Sequence, residues 1–372
     1  MKQYPIPSLD SIPGDYTMPE GPLQGPHCWM SADHQTSTDW QYRLTEEDLV
    51  ELDAALAHVN EAGLDLIEIE KMDFPLGKLA AKLKGLRHDI LEGRGFVQIK
   101  GVPVKSKSRR DAAILYWGIG LHLGYLVPQN ARGQLLGHVV NLGPVQEDAR
   151  HVEADLAQRT FDQNTRRFPF HVDSGDIVGL MCMHGARQGG ESLIASSAAI
   201  HNEIMRTRPD LLKVLYKPYW RDRRGGEIPT GAKPYFPMPV YCYHNGRLFA
   251  PYGSSNIRSG GSGTTHEGLP AMTAEQREAI MLLEKLAEDP RFHLSMELEA
   301  GDIQLLNNHH IMHARTEYRD YPELDRRRHL MRLWMVVPEH HPLPEWHYNW
   351  WGEGRRGGIY MPGMVEVAQW DP

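Results

Sequence analysis

Between residues 45 and 124 the apolar positions recur every three to four residues, the spacing of one helix face. Leu49, Leu52, Leu56 and Val59 form a stripe behind Thr45, a residue type that caps helix N-termini. Leu76, Leu79, Leu83, Leu86 and Ile90 form a second stripe, and a third helix is expected over 109–123, stopping near Gly124. GRGFVQIKGVPV and QLLGHVVNL interrupt these helices as strands. From Phe168 onward the pattern changes: FPFHV, DIVGLMCM and ESLIA are short apolar runs cut by glycine turns. Residues 197–206 and 208–217 predict two short helices, the second with Pro209 near its first turn. VYCYHNGRLFA predicts a hairpin, with Asn245 and Gly246 taking the two positive-φ turn positions. Thr273 and Gln276 make a capping box that opens a helix to about residue 288. RFHLSMELE alternates, with Phe292, Leu294, Met296 and Leu298 on one face, and GDIQLL and RHLMRLWMVV add strands. The expected fold is mainly β with flanking helices, a small barrel or jelly roll. No GxGxxG opens a βαβ unit, which argues against a dinucleotide fold.

Composition narrows the class. The chain has 372 residues, 41% hydrophobic and 24% charged, with a net charge of −8, so no basic field invites nucleic acid. Its three cysteines, Cys28, Cys182 and Cys242, are far apart and odd in number. That is neither a disulfide framework nor a zinc pattern, and it points to a reducing, cytoplasmic setting. No run approaches the roughly 20 apolar residues needed to span a bilayer, and MKQYPIPSLDSIPGDY has no apolar centre of a secretory signal. Residues 1–42, rich in Pro and Gly, read as an extended arm. The 20 histidines are the unusual count.

Three His-x-Asp/Glu triplets compete for a metal role: His151 with Glu153, His171 with Asp173, and His201 with Glu203. The first and last lie in helix-like context, where side chains two apart diverge by about 200°. His171 and Asp173 sit in FPFHVDSGD, where strand spacing sends both to one face. A third ligand is available in NNHHIMHAR from His309, His310 or His313. A helical reading would pair His309 with His313, but no HExxH accompanies them, and the bland alternative is a polar turn. A two-His, one-carboxylate set would hold Fe(II) on one face and leave positions open. A 2-oxo acid bound there would need a cation for its far carboxylate. In RRRHLMRLWMVV, Arg328, Leu330 and Arg332 share one strand face, and an arginine there is costly unless paired.

FHVDSGD, GGES at 189–192, GDIQLLNNHHIMHAR at 301–315 and RRRHLMRLWM at 326–335 occur in an order and spacing that resemble the taurine dioxygenase-like (TauD/TfdA) Fe(II)/2-oxoglutarate-dependent dioxygenases. The resemblance covers roughly residues 90–340. It implies a double-stranded β-helix with iron ligands His171, Asp173 and His313, the last preferred because Asn308 and Ala314-Arg315 fit the family frame. It implies Arg332 as the clamp on the C5 carboxylate of 2-oxoglutarate, with Ser192 adding a hydrogen bond. The stretch before the final strand is longer here than in taurine dioxygenase, which keeps Arg328 as the alternative clamp. It further implies an insertion or lid at about 203–300, within one domain read over 43–340 and followed by an aromatic tail over 341–372.

The activity implied is oxidation of a C–H bond with decarboxylation of 2-oxoglutarate to succinate and CO2, O2 being the oxidant. Because Asp173 fills the position that is Gly or Ala in halogenating relatives, hydroxylation is the first expectation. The partner expected is a small polar or anionic molecule, with neither nucleic acid nor membrane. Candidate substrate contacts are Gln129, Asn130, Asn141, Asn256, Arg258 and Arg315. The tail offers a lid edge, a barrel cap or the contact of a homo-oligomer. A metal-dependent hydrolase or lyase, and a retired regulatory jelly roll, are the rival classes. The first needs neither Arg332 nor GGES, and the second normally lacks a ligand.

Overall fold

A computed structural model describes residues 17–141, 165–222, 234–253, 257–258, 269–349 and 354–372. The His151 triplet and Asn256 lie outside the described residues. In chain order the strands that build the site are β1 (Gln41–Arg43), β2 (Phe96–Lys100), β3 (Tyr125–Val127), β4 (Leu136–Val140), β5 (Phe168–His171), β6 (Ile177–His184), β7 (Ser192–Ser196), β8 (His293–Met296), β9 (Ile303–Asn307), β10 (Ile311–Arg315) and β11 (His329–Val336).

Among the described residues these form two sheets. The larger runs β1–β2–β9–β6–β11, and the free side of β11 pairs with β4 through His329–Leu333 and with β3 through Trp334–Val336. Only the β1–β2 pair is parallel. The smaller sheet is antiparallel, in the order β8–β7–β10–β5.

Period-two alternation explains how the layers stack. In the larger sheet Ile99, Met181, Leu305, Met331 and Leu333 pack with Leu52, Leu83 and Trp117, which come from helices α1 (Glu46–Ala62), α2 (Lys78–Leu91) and α3 (Arg109–Leu123). Their neighbours Phe96, Val178, Leu306 and Trp334 turn the other way and meet Ile194, Leu294 and Ile311 of the smaller sheet. The smaller sheet's outer face buries Leu193, Ala195, Met312 and Ala314 against α4 (Ser197–Thr207), α5 (Pro209–Leu215) and α6 (Ala274–Glu288). The result is four layers, helix–sheet–sheet–helix. Burying a side chain such as Leu52 fully is worth about 1.5–3 kcal/mol, which makes these stripes the main holding force.

The helix starts follow the sequence signals. The Thr45 hydroxyl accepts the Asp48 N–H, and the Asp48 carboxylate accepts the Thr45 N–H at 2.9 Å. Thr273 and Gln276 repeat the device at α6. Asn245 and Gly246 take φ of 49° and 79° in the expected hairpin.

Four expectations need correction. Residues 17–42 do not lie on the surface as an arm: Trp29 and Trp40 are buried against Phe96, and a boundary at 42 would cut β1. The insertion expected to reach 300 stops earlier, because β8 pairs with β7 in the smaller sheet. NNHHIMHAR is neither helix nor surface turn; it is a buried turn followed by β10. The tail is not separate, since Leu343, Tyr348, Ile359 and Tyr360 are buried.

Candidate metal centre and anion pocket

His171 closes β5, and His313 stands opposite it in β10, the two being paired in register. Asp173 follows two residues after His171, where the strand has ended. Fixed on adjacent strands, the two imidazoles lie with ring centroids 4.1 Å apart. His171 Nε2 is 3.9 Å from one Asp173 oxygen, and His313 Nε2 is 3.8 Å from the other. Ligand atoms sharing a metal at about 2.0–2.2 Å stand no more than about 4 Å apart, so the set fits one ion after small side-chain adjustments.

The surroundings prepare these atoms for a cation. His171 Nδ1 lies 3.0 Å from the Pro169 carbonyl. A carbonyl only accepts, so that nitrogen carries the proton and Nε2 keeps its lone pair. Burial first, and then the His171 ring, push His313 down to about 3 against the pull of Asp173, so His313 is neutral at physiological pH. Burial works to raise Asp173, but Arg332, His313 and His171 outweigh it and hold the carboxyl below its usual range. Asp173 Oδ2 is buried without a hydrogen-bond partner. A buried, unsatisfied carboxylate oxygen beside the neutral His313 ring, with His171 on the other oxygen, is what a divalent cation would complete. His201 and Glu203, by contrast, diverge on α4: His201 meets the Tyr216 hydroxyl at 2.9 Å and Glu203 pairs with Arg206.

A cavity open at one end adjoins the triad. His171, His313, Ser192, Arg315, Arg328 and Arg332 line it, together with Leu180 and Leu330. Leu330 and Arg332 share one side of β11, and Arg328, just before that strand, lines the same cavity. Three guanidinium groups thus share one cavity with the triad histidines, a lining suited to anionic ligands.

Arg328 and Arg332 differ in their hold. Arg332 Nε donates to Gln129 Oε1 at 2.7 Å, its guanidinium lies 5.2 Å from the Trp334 ring, and its Nη1 is 3.8 Å from Asp173. Arg328 is buried deeper in the cavity. Its Nη2 reaches the Gly190 carbonyl at 3.4 Å, and its Nη1 is buried with no partner. Arg328 thus keeps a buried donor without a hydrogen-bond partner, which makes it a candidate clamp beside Arg332, the residue preferred from sequence spacing.

GGES explains itself beside Arg328. Gly189 and Gly190 take φ of 74° and 85°, and a Cβ on Gly190 would stand 3.1 Å from Arg328 Nε and 3.2 Å from Tyr318 Cβ. The Gly190 and Glu191 N–H groups both donate to Thr316 Oγ1 at 3.0 Å. Ser192 Oγ donates to Gln304 at 2.9 Å, inside the cavity wall.

Of the five substrate candidates among the described residues, Arg315 alone lines the cavity. Gln129 sits behind Arg332, with its amide N–H groups on the Arg332 and Leu135 carbonyls. Asn130 closes a turn on Gln134, and the Asn141 carbonyl receives Arg327. Arg258 is exposed and pairs with Glu284 on α6. Sequence reasoning missed Thr316 and Gln304, which carry no motif of their own. Glu92, His340 and His341 also come together, but Arg247 Nη2 already pairs with Glu92 at 2.5 Å, so a dication there would meet a guanidinium.

Residues 59–334 match the Taurine catabolism dioxygenase TauD, TfdA family. The chain belongs to that family. It is an Fe(II)- and 2-oxoglutarate-dependent dioxygenase, the class its motifs imply. Among similar proteins, FR-33289 synthase of Streptomyces rubellomurinus (strain ATCC 31215) is 31% identical over 329 residues, covering 87% of this chain and 93% of the relative. The taurine hydroxylase-like protein SAT17 of Stachybotrys chartarum (strain CBS 109288 / IBT 7711) is 31% identical over 314 residues, covering 84% and 79%. A uridine-5'-phosphate dioxygenase from Amycolatopsis sp is 29% identical over 171 residues, 44% of this chain and 58% of the relative. In fold the chain is similar to asparagine oxygenase solved with Fe(II), 2S,3S-3-hydroxyasparagine and succinate. The TM-score is 0.59 at 14% identity, over 80% of this chain and 93% of that one. It is likewise similar to the non-heme iron oxygenase OrfP with Fe and alpha-ketoglutaric acid, with TM-score 0.55 at 12% identity over 80% and 94%. Among the described residues no helix is long and apolar enough to cross a membrane.

Proposed function

We propose that this enzyme hydroxylates a small anionic molecule, and that its two facing sheets are the halves of a double-stranded β-helix. One observation carries the substrate class: three arginines line the cavity beside the triad, where the far carboxylate of 2-oxoglutarate engages one. His171, Asp173 and His313 are the residues that would hold iron. Arg328, with its buried Nη1, and Ser192 would receive the C5 carboxylate of 2-oxoglutarate. Arg332, held by Gln129 and close to Asp173, would orient the substrate's anionic group near the metal.

When bound, iron with 2-oxoglutarate and O2 supplies the oxidising power, releasing succinate and CO2. The chain's own work is positional. Leu180 and Leu330 present apolar surface to the cavity, and the arginine forks fix where each anion sits. The retained triad weighs against a retired regulatory protein, and the arginine-lined cavity weighs against a simple hydrolase. The names of the relatives agree in kind, since taurine carries a sulfonate and uridine-5'-phosphate a phosphate. The free cysteines support a cytosolic setting. The test is a screen of sulfonates, phosphonates, phosphates, amino acids and neutral amides with iron, ascorbate and 2-oxoglutarate, read as succinate. Stimulation by anions and none by their neutral analogues is expected; stimulation confined to uncharged compounds overturns the proposal.

A further inference from the structure

The aromatic tail takes no part in the chemistry above, and yet one of its arginines reaches the turn that carries Asp173. Asp176 closes that turn and is fully buried. Its Oδ1 accepts His309 Nε2 at 2.7 Å, and its Oδ2 accepts both the Val337 N–H and Arg356 Nε, each at 2.7 Å. Arg356 is itself buried, and its Nη2 donates to the His341 carbonyl at 2.8 Å. The backbone repeats the pattern. The Asp176 N–H donates to Met335 O at 2.9 Å, the Asn308 N–H to Asp176 O at 3.0 Å, and the Gly358 N–H to Ser174 O at 2.9 Å. At Gly357 a Cβ would stand 3.1 Å from the Gly175 Cα, so the tail lies directly on the turn. One carboxylate thus ties four pieces of chain. They are the turn bearing Asp173, the turn before His313, the residue that follows β11, and the tail. Asn308, beside His309, also takes the Asp173 N–H on its Oδ1 at 3.2 Å.

We propose that Asp176, His309 and Arg356 form a positioning lock, through which the C-terminal segment sets the mutual geometry of the iron ligands. A buried ion pair seldom improves stability over apolar packing of the same volume, so its use here is to fix geometry. The lock touches none of the reacting groups: its members are positioning residues, not catalytic ones. The inference rests on the iron assignment to His171, Asp173 and His313.

The test compares Arg356→Ala, Arg356→Lys and Asp176→Asn with the wild type in the full chain. Leu52→Ala, in the distant helix layer, serves as a control for lost stability. Fe(II) dissociation constants are measured anaerobically by chelator competition, alongside thermal midpoints and far-ultraviolet circular dichroism. Arg356→Ala and Asp176→Asn should weaken Fe(II) binding at least tenfold while the fold persists, and Arg356→Lys should recover part of the loss. Leu52→Ala should lower the midpoint without moving Fe(II) affinity. The lock is overturned if Arg356→Ala and Asp176→Asn bind Fe(II) within twofold of wild type, whatever happens to their midpoints. It is equally overturned if Leu52→Ala weakens Fe(II) binding as much as they do. If Arg356→Ala does not fold, Asp176→Asn decides: Fe(II) affinity within twofold of wild type there refutes the lock. Failure of the iron assignment itself looks different, since the wild type would then keep its Fe(II) affinity when His171 or His313 is replaced.

Discussion

Replacing Arg328 by Lys separates its role from that of Arg332. The substitution keeps a positive charge but loses the planar fork. In the structure Arg328 offers a buried Nη1 without a partner, whereas Arg332 is already engaged by Gln129 through Nε. A charge-assisted hydrogen bond contributes about 1.5–3 kcal/mol, and each 1.4 kcal/mol is about a factor of ten. Losing one bond to the C5 carboxylate should therefore raise the 2-oxoglutarate requirement on the order of tenfold to a hundredfold. The assay is succinate release over a 2-oxoglutarate series at saturating substrate, paired with anaerobic Fe(II) binding. Iron affinity should hold, because the triad is untouched. Arg332→Lys should leave the 2-oxoglutarate KM within about threefold and raise the substrate KM instead. If Arg332→Lys weakens 2-oxoglutarate more than Arg328→Lys does, the division of labour is wrong and the clamp lies at 332.

Removing the Gln129 side chain by Gln129→Ala takes the acceptor from Arg332 Nε and should raise the substrate KM roughly tenfold, for a loss of about 1–2 kcal/mol, with the 2-oxoglutarate KM little changed. Gly190→Ala forces a side chain into positive φ 3.1 Å from Arg328 Nε, so the 2-oxoglutarate KM should rise even though no ligand contact is deleted. A normal KM in that variant would detach GGES from the clamp. For pH, burial pushes His201 down to about 4, so the folded state keeps it neutral while the unfolded chain takes up a proton near 6.5. Its contribution is present above about 6.5 and lost as pH falls toward 4. Urea midpoints should drop across that window, and His201→Gln should flatten the slope.

Much of this architecture could be read along the chain because local rules and tertiary packing agree. The stripe behind Thr45, the Asn245-Gly246 turn and the capping box at Thr273 all rest on interactions within a few residues, and each formed as its spacing dictates. His171 and Asp173 were legible for the same reason, a strand end that brings the carboxylate beside the two imidazoles. The third ligand was harder. NNHHIMHAR offers three histidines, and only the family resemblance singled out His313. In the structure Asn307 and Asn308 turn the chain, which leaves His309 on Asp176 and lets β10 carry His313 to His171. The proposed choice of Arg328 over Arg332 was not legible, because it turns on Gln129, 203 residues before Arg332 in the chain. Arg356 was equally silent, since nothing in GEGRRGGIY tells that one arginine is buried on Asp176. Proline-rich composition misled at residues 17–42, where Trp29 and Trp40 supply enough apolar surface to bind the segment to the core.

The central claim is that one Fe(II) sits on His171, Asp173 and His313 beside the arginine-lined cavity. Its most direct test is anaerobic titration of the purified chain with Fe(II), followed by 2-oxoglutarate, reading the weak visible charge-transfer band of the chelate. About one Fe(II) per chain is expected. His171→Ala, Asp173→Ala and His313→Ala should each abolish the band, and His310→Ala should retain it. A band lost in His310→Ala and kept in His313→Ala would contradict the account.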